Sequence, residues 1–290
     1  MKSSAILNGI IVFVTVGLVV GPFFRGFRFS EEVAKWHLAA AANAAETDPE
    51  AADASLEKAR AASPKVEELI DYWIVVIERA LKDDQEALPN LLAKAVSKNS
   101  KWFGLAVSTA IQLEMDQKFF LAIETIERSA SESIRSNPSV RNMLAYWRSL
   151  GDFELEKALA DVNIALESVP ENPTPIKLLD AIAYRDTRGW VLHKLGRNEE
   201  ALEDANFAVE ERIGLDNNGI AGWINKTAEN LGLEEPATDN TAPASDTEYN
   251  LGVLRYHRAK ILEALERMDE ANKDFDWLKK HNLPIDDSLR

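Results

Sequence analysis

Four histidines, His37, His193, His257 and His281, are the only imidazoles in the chain, and there is no cysteine. Thiol catalysis, disulfides and cysteine-based zinc sites are excluded. No two histidines stand at the spacing that places paired ligands on one helix face, and no His-Glu-x-x-His occurs. The Gly-x-Ser-x-Gly elbow, the phosphate loop and the dinucleotide glycine pattern are missing as well. "LDNNGI" at 215–220 has one acid and a glycine but lacks the alternating acids and distal glutamate of a calcium loop. Asn225 opens an NKT sequon of a kind common by chance. Arg185 and Arg188 recur as Arg255 and Arg258, and pairing with glutamates of adjoining helices is their expected use. No catalytic group, cofactor site, metal site or small-molecule substrate is expected, and the chain does not read as an enzyme.

The elements that carry these residues follow from composition. Apolar residues make up 46% of 290, ample for a core, and 13 Gly with 11 Pro are few for an all-β protein. Alanine, leucine and glutamate favour helix throughout. The formal charge is −15, and no acid precedes Glu31, so the rest of the chain is more acidic still. Such a body repels phosphate backbones, and nucleic acid is not an expected partner.

"AILNGIIVFVTVGLVVGPFF", residues 5–24, is an uncharged run of twenty. At about 1.5 Å per residue it matches a hydrocarbon core of about 30 Å. Phe23, Phe24, Phe27 and Phe29 with Arg25 and Arg28 resemble an interfacial belt with snorkelling cations. A cleaved signal peptide is the rival, but no Ala-x-Ala site follows. The expectation is a single-pass anchor over 1–29 and a soluble body over 30–290. Lys2 and the terminal amine stand against Arg25, Arg28 and Lys35, which leans the body slightly toward the cytoplasmic side.

Small residues then recur. Gly189 precedes Ala201 by twelve and Ala208 follows by seven; Ala110, Ala122 and Ser129 repeat the spacing, as does the Ala259–Ala271 pair. Trp36, Ala40, Ala52, Ala59 and Pro64 form another such series, and Ala158, Ala165 and Pro170 a further one. The positions opening each second helix are Ala52, Ala87, Ala122, Ala158, Ala201 and Ala271, separated by 35, 35, 36, 43 and 70 residues. The second member is weak, with Val75 and Lys94 where small residues are expected and Pro89 early in its helix. Proline in a first turn is tolerated because its missing N–H would have been unpaired. Small residues let two antiparallel helices approach, and such a pair buries its apolar face only against a neighbour.

The Trp36-to-Pro64 series and "LGRNEEALEDANFAVE" resemble the tetratricopeptide repeat family over about residues 33–285. The resemblance implies an all-α fold: a right-handed α-solenoid of about six helix-turn-helix repeats, here preceded by one transmembrane helix. It also implies a concave groove lined by the first helix of each pair and binding a peptide or protein. On that basis Arg141 and Arg148, then Asp186, Trp190 and His193, then Tyr256 and Lys260 would face the partner. Repeat-to-repeat packing is the competing use of Trp190 and Tyr256. The Lys/Asn/Arg set with which some family members hold a chaperone C-terminus is absent; His37 and Ala41 stand in its first places.

Two interruptions are expected. "ENPTPIKLLDA" at 171–181 either loosens the stack or adds a turn of helix. Residues 220–231 form a candidate amphipathic helix, and the acidic stretch near 234–248 has a loop composition. The function expected from all this is a membrane-anchored scaffold or adaptor for protein partners. An envelope-side accessory or chaperone-like factor in secretion or assembly is the alternative.

Overall fold

In a computed structural model the described residues are 29–218 and 246–286, except Glu46 and Pro64. The expected anchor, the 220–231 helix, Asn225 and the acidic loop up to 245 lie outside them. The described residues are all-α, with no strand among them. None of their helices is long and apolar enough to cross a membrane.

The chain forms two compact units, Met1–Leu105 and Ala106–Arg290. The first contains α1 (Phe29–Ala44), α2 (Pro49–Ala62), α3 (Ile70–Asp83) and α4 (Leu88–Lys98). Helix α5 (Phe103–Met115) carries the boundary. The second continues with α6 (Phe119–Ser129), the single turn α7 (Glu132–Arg135), α8 (Pro138–Leu150) and α9 (Leu155–Glu167). It ends with α10 (Pro175–Lys194), α11 (Asn198–Asn218), α12 (Asp246–Ala264) and α13 (Met268–Lys280).

Local chemistry fixes the helix starts. Asp48, Asn137 and Thr174 each stand before a proline, and each side chain accepts from a backbone N–H of the first turn. The acceptor satisfies an orphan donor while proline presets the first helical φ. The hairpin turns share a second device. Gln117, Gly196 and Glu266 are left-handed (φ 61°, 77° and 60°), and the next residue's N–H reaches back to Leu113, Leu192 and Leu262 at 2.8–2.9 Å. This Schellman closure caps orphan carbonyls and reverses the chain. The turn between α8 and α9 has one more residue, with both Asp152 and Glu154 left-handed. That insertion accounts for the spacing of 36 in a series of 35.

The small residues mark the close approaches. Ala110, Ala122, Ala158, Ala165, Ala201, Ala208, Ala259 and Ala271 are all fully buried. A Cβ placed on Gly189 would lie 3.1 Å from the Ala201 carbonyl oxygen, so α10 and α11 meet there nearly backbone to backbone. Each hairpin of the second unit packs on the next: α10 touches α8 and α9, and α12 touches α11 and α10. One apolar cluster joins Ala145, Ala158 and Val162 to Tyr184 and Val191, and another joins Leu192 and Ala201 to Ile261 and Ala271.

In the first unit Ala52, Ala59 and Val75 are buried at their expected positions, while α1 and α4 depart from the expected register by one residue. Ala41 is buried where Ala40 was expected, and Trp36 is half exposed. Leu88 and Ala95 are buried where Ala87 and Lys94 were expected. The cause is a 3-10 turn, Gln85–Ala87, that takes up Ala87 before α4 begins. The same shift leaves Lys94 outside, over the Trp73 ring and paired with Glu67 at 2.8 Å.

The interruption at 171–181 resolves into added helix. The chain runs irregularly from 168 to 174, then α10 extends for 20 residues and α11 for 21. Leu215 to Asn218, the start of the calcium-loop-like segment, belong to the end of α11.

Candidate functional site

The arginine pattern builds one clamp twice. Arg185 Nη1 donates to Asp204 Oδ1 at 2.9 Å, and Arg188 holds both Asp204 oxygens at 2.6 and 2.8 Å. Seventy residues on, Arg255 and Arg258 hold Asp274 at 2.6, 2.7 and 2.8 Å. Arg185 lies over the Phe207 ring and Arg255 over the Trp277 ring, at 4.6 and 4.8 Å. The expectation of glutamate partners is corrected: the acceptors are aspartates of the second helix in the same hairpin. Asp204 and Asp274 are buried, each three residues past the close-contact alanine, Ala201 or Ala271. Asp204 also holds the Arg188 guanidinium above its ordinary pKa, against the opposing effect of burial.

The preceding hairpin has a relative of this clamp. Arg141 and Arg148 share Asp161, at 2.6 and 3.1 Å. Arg148 also donates to Glu154 at 3.0 Å and to Glu127, and it is 0% exposed. A buried guanidinium is tolerated only when its donors are matched in this way. Glu154 is held below the ordinary carboxylate value by the Arg148 hydrogen bond first, with Lys157 assisting.

A ring cluster occupies the interface between α10 and α12. His257 stacks on Trp190 with centroids 4.3 Å apart and planes 20° apart. Its Nδ1 lies 2.9 and 3.1 Å from the Asp186 oxygens. An ionised Asp186 only accepts, so Nδ1 carries the proton and donates. Tyr256 packs 6.5 Å from Trp190, and Tyr146 of α8 lies 6.1 Å from His257. His193 stands 5.1 Å from Trp190 and shares a 2.7 Å hydrogen bond with Asn198. Burial lowers the His193 pKa, and Lys194, Lys260 and His257 lower it further against that hydrogen bond.

Of the seven residues expected at a partner face, Asp186, Trp190, His193, Tyr256 and Lys260 are therefore gathered at this cluster. Arg141 and Arg148 belong instead to the Asp161 clamp. Arg148, Asp186, Trp190 and Tyr256 are buried, while Arg141, His193 and Lys260 keep accessible surface. Trp190 and Tyr256 are thus used for packing between hairpins. His257, 1% exposed, is the member the sequence reading passed over. It occupies the position of Thr187 shifted by 70, beside Asp186 on the inward face, and that offset was the available signal.

Among the described residues no group of three or more His, Asp or Glu side chains is placed to hold a metal ion. Comparisons with protein-family models, with curated proteins and with solved structures found no match to this chain.

Proposed function

We propose that the chain is a membrane-anchored interaction scaffold. Its body is a tetratricopeptide-like, right-handed α-solenoid that presents repeated helix faces to a protein or peptide partner, and residues 5–24 are its single span. The observation that carries the reading is the recurrence of one hairpin plan. The Arg–Asp–aromatic clamp and the small-residue contact, Gly189 with Ala201 and Ala259 with Ala271, return together after 70 residues. A chain that repeats its packing in this way builds surface area by addition, and such arrays serve recognition through extended faces. The partner face comprises His193 and Lys260, with Arg141 on the adjoining hairpin, because these keep accessible surface around a rigid buried cluster.

The test uses the full-length chain in its native membrane, with a photo-crosslinking residue at position 193 or 260. A discrete polypeptide adduct at both positions, absent when the group sits at the exposed Asp276, is the expected outcome. Equal labelling at all three positions removes this face. Retention in the membrane after carbonate extraction is expected for the anchor, and a soluble form beginning near residue 25 to 30 overturns it.

A further inference from the structure

The lengthened connection between α9 and α10 opens a cleft that no other observation accounts for. The step from Ala158 to Ala201 is 43 residues against the usual 35, and the extra chain forms the outer wall. The cleft encloses about 600 Å³ and is walled by Leu166, Val169, Pro170, Pro173, Leu178 and Ala181. Arg185, Arg188 and Phe207 line it too, as do Glu171 and Glu211. It shares no residue with the Trp190–His257 cluster. Its occupancy does not depend on the partner face proposed above.

The chemistry of its charged residues is specific. Arg188 spends its guanidinium on Asp204 and Asn163. Arg185 spends only Nη1, and among the described residues its Nε–H and Nη2–H have no acceptor. That edge carries the two parallel donors that fit the oxygens of a carboxylate. The plane is held in place by the Phe207 ring on one side and Asp204 on the other. Two guanidiniums on one buried aspartate leave one positive charge at the Arg185 edge, set against Glu171 and Glu211 elsewhere in the lining. The sister clamp is closed: the Arg255 side chain is 15% exposed, whereas that of Arg185 is 37% exposed. The same clamp has therefore been opened at one hairpin only, where the longer connection provides apolar walls.

We propose that this cleft binds a short peptide segment through a single aspartate or glutamate side chain. The carboxylate meets the Nε–Nη2 edge of Arg185, and apolar neighbours in the peptide lie on the Leu166, Val169 and Pro170 wall. Glu171 and Glu211 disfavour a run of acids and favour a lone acid flanked by apolar and basic residues, which sets the charge pattern of the occupant.

The experiment uses the full-length chain in detergent and ligand-observed NMR. The probes are acetyl-Lys-Leu-Glu-Leu-Lys-amide, its Gln counterpart and acetyl-Glu-Leu-Glu-Leu-Glu-amide. The first probe binds, and the Gln probe binds about tenfold more weakly, as the loss of a charge-assisted two-point contact requires. The all-acidic probe is also weaker. Arg185→Ala abolishes the difference between the Glu and Gln probes, and Arg185→Lys restores only part of it. The Glu/Gln comparison is made on the unaltered chain, so it stands whether or not a variant folds. Absence of binding, equal binding of both probes, or a difference that survives in folded Arg185→Ala overturns the proposal. So does full displacement by inorganic phosphate of Glu and Gln probes alike, which makes the site a small-anion site.

Discussion

Asp204 and Arg188 are joined at two points, Nε to Oδ2 at 2.6 Å and Nη2 to Oδ1 at 2.8 Å, and Arg185 closes on the same carboxylate. Asp204 is 1% exposed, so its charge is supported by these two guanidiniums and not by water. Removing one member of a buried ion pair leaves the others uncompensated, at a cost of about 3–5 kcal/mol. Asp204→Ala is expected to lower the urea midpoint accordingly. Arg197→Ala, which removes only an exposed pair with Glu200, leaves the midpoint unchanged. Comparable midpoints for the two variants would show that the clamp adds nothing to stability.

Two positions of α11, Gly214 and Ala201, respond in opposite ways to added bulk. Gly214 in α11 has no atom within 4 Å of the place a Cβ would take. Alanine there removes the entropic cost of a helical glycine, and Gly214→Ala stabilises by about 0.5–1 kcal/mol. At the α10–α11 contact there is no such room, because Gly189 approaches the Ala201 carbonyl. Ala201→Trp overpacks this contact and destabilises by about 1–3 kcal/mol or more. Thermal melts of the two variants should move in opposite directions. A shift of the same sign in both contradicts the packing described.

The Asp186–His257 bond ties α10 to α12 inside a stack of rings. Asp186 is buried, and His257 is the donor that faces it. His257→Ala strands the carboxylate, while the double variant with Asp186→Ala removes the stranded group. Residues in direct contact commonly couple by about 0.5–3 kcal/mol, and the double variant should lose less stability than the two single variants together. Trp190→Ala, which also takes away the ring under His257, costs about 3–5 kcal/mol. A strictly additive cycle, measured by chemical denaturation, removes the coupling.

The hairpins of the second unit were legible because a single constraint repeats in the sequence. Two helices that cross at Gly189 and Ala201 need small residues there, and the turn between them needs a fixed number of residues to close. Both constraints recur at Ala259 and Ala271. Helix α1 was misread by one position because alanine is dense there: Ala40 and Ala41 offer equal fits, and only burial separates them. A 3-10 turn at Gln85–Ala87 moved the second repeat by one residue without altering its composition. The candidate site was harder still. The inward positions of α10 and α12 named side chains that the fold gathers, yet spacing alone does not distinguish a ring that packs from one that awaits a partner. His257 was passed over because its ligand, Asp186, lies 71 residues away.

Acid should weaken the fold in two stages, and the first belongs to histidine. Burial depresses the His193 pKa below 6.5, with Lys194, Lys260 and His257 acting in the same direction. Between its folded pKa and 6.5 the unfolded chain binds more protons than the folded one. His193 stability is then complete above 6.5 and is lost as pH falls from that value through the folded pKa. His37, also depressed by burial and secondly by Lys58, adds a slope of the same sign. The second stage sets in near 4.5, where the unfolded chain takes up protons that Glu67 and Glu154, held low by hydrogen bonds from Lys94 and Arg148, still resist in the fold. Melting temperatures across about pH 7.5 to 5 should therefore decline in the native chain. His193→Gln, which can still bond Asn198, should decline less. Parallel profiles for the two proteins would show that His193 titrates in the fold as it does in water.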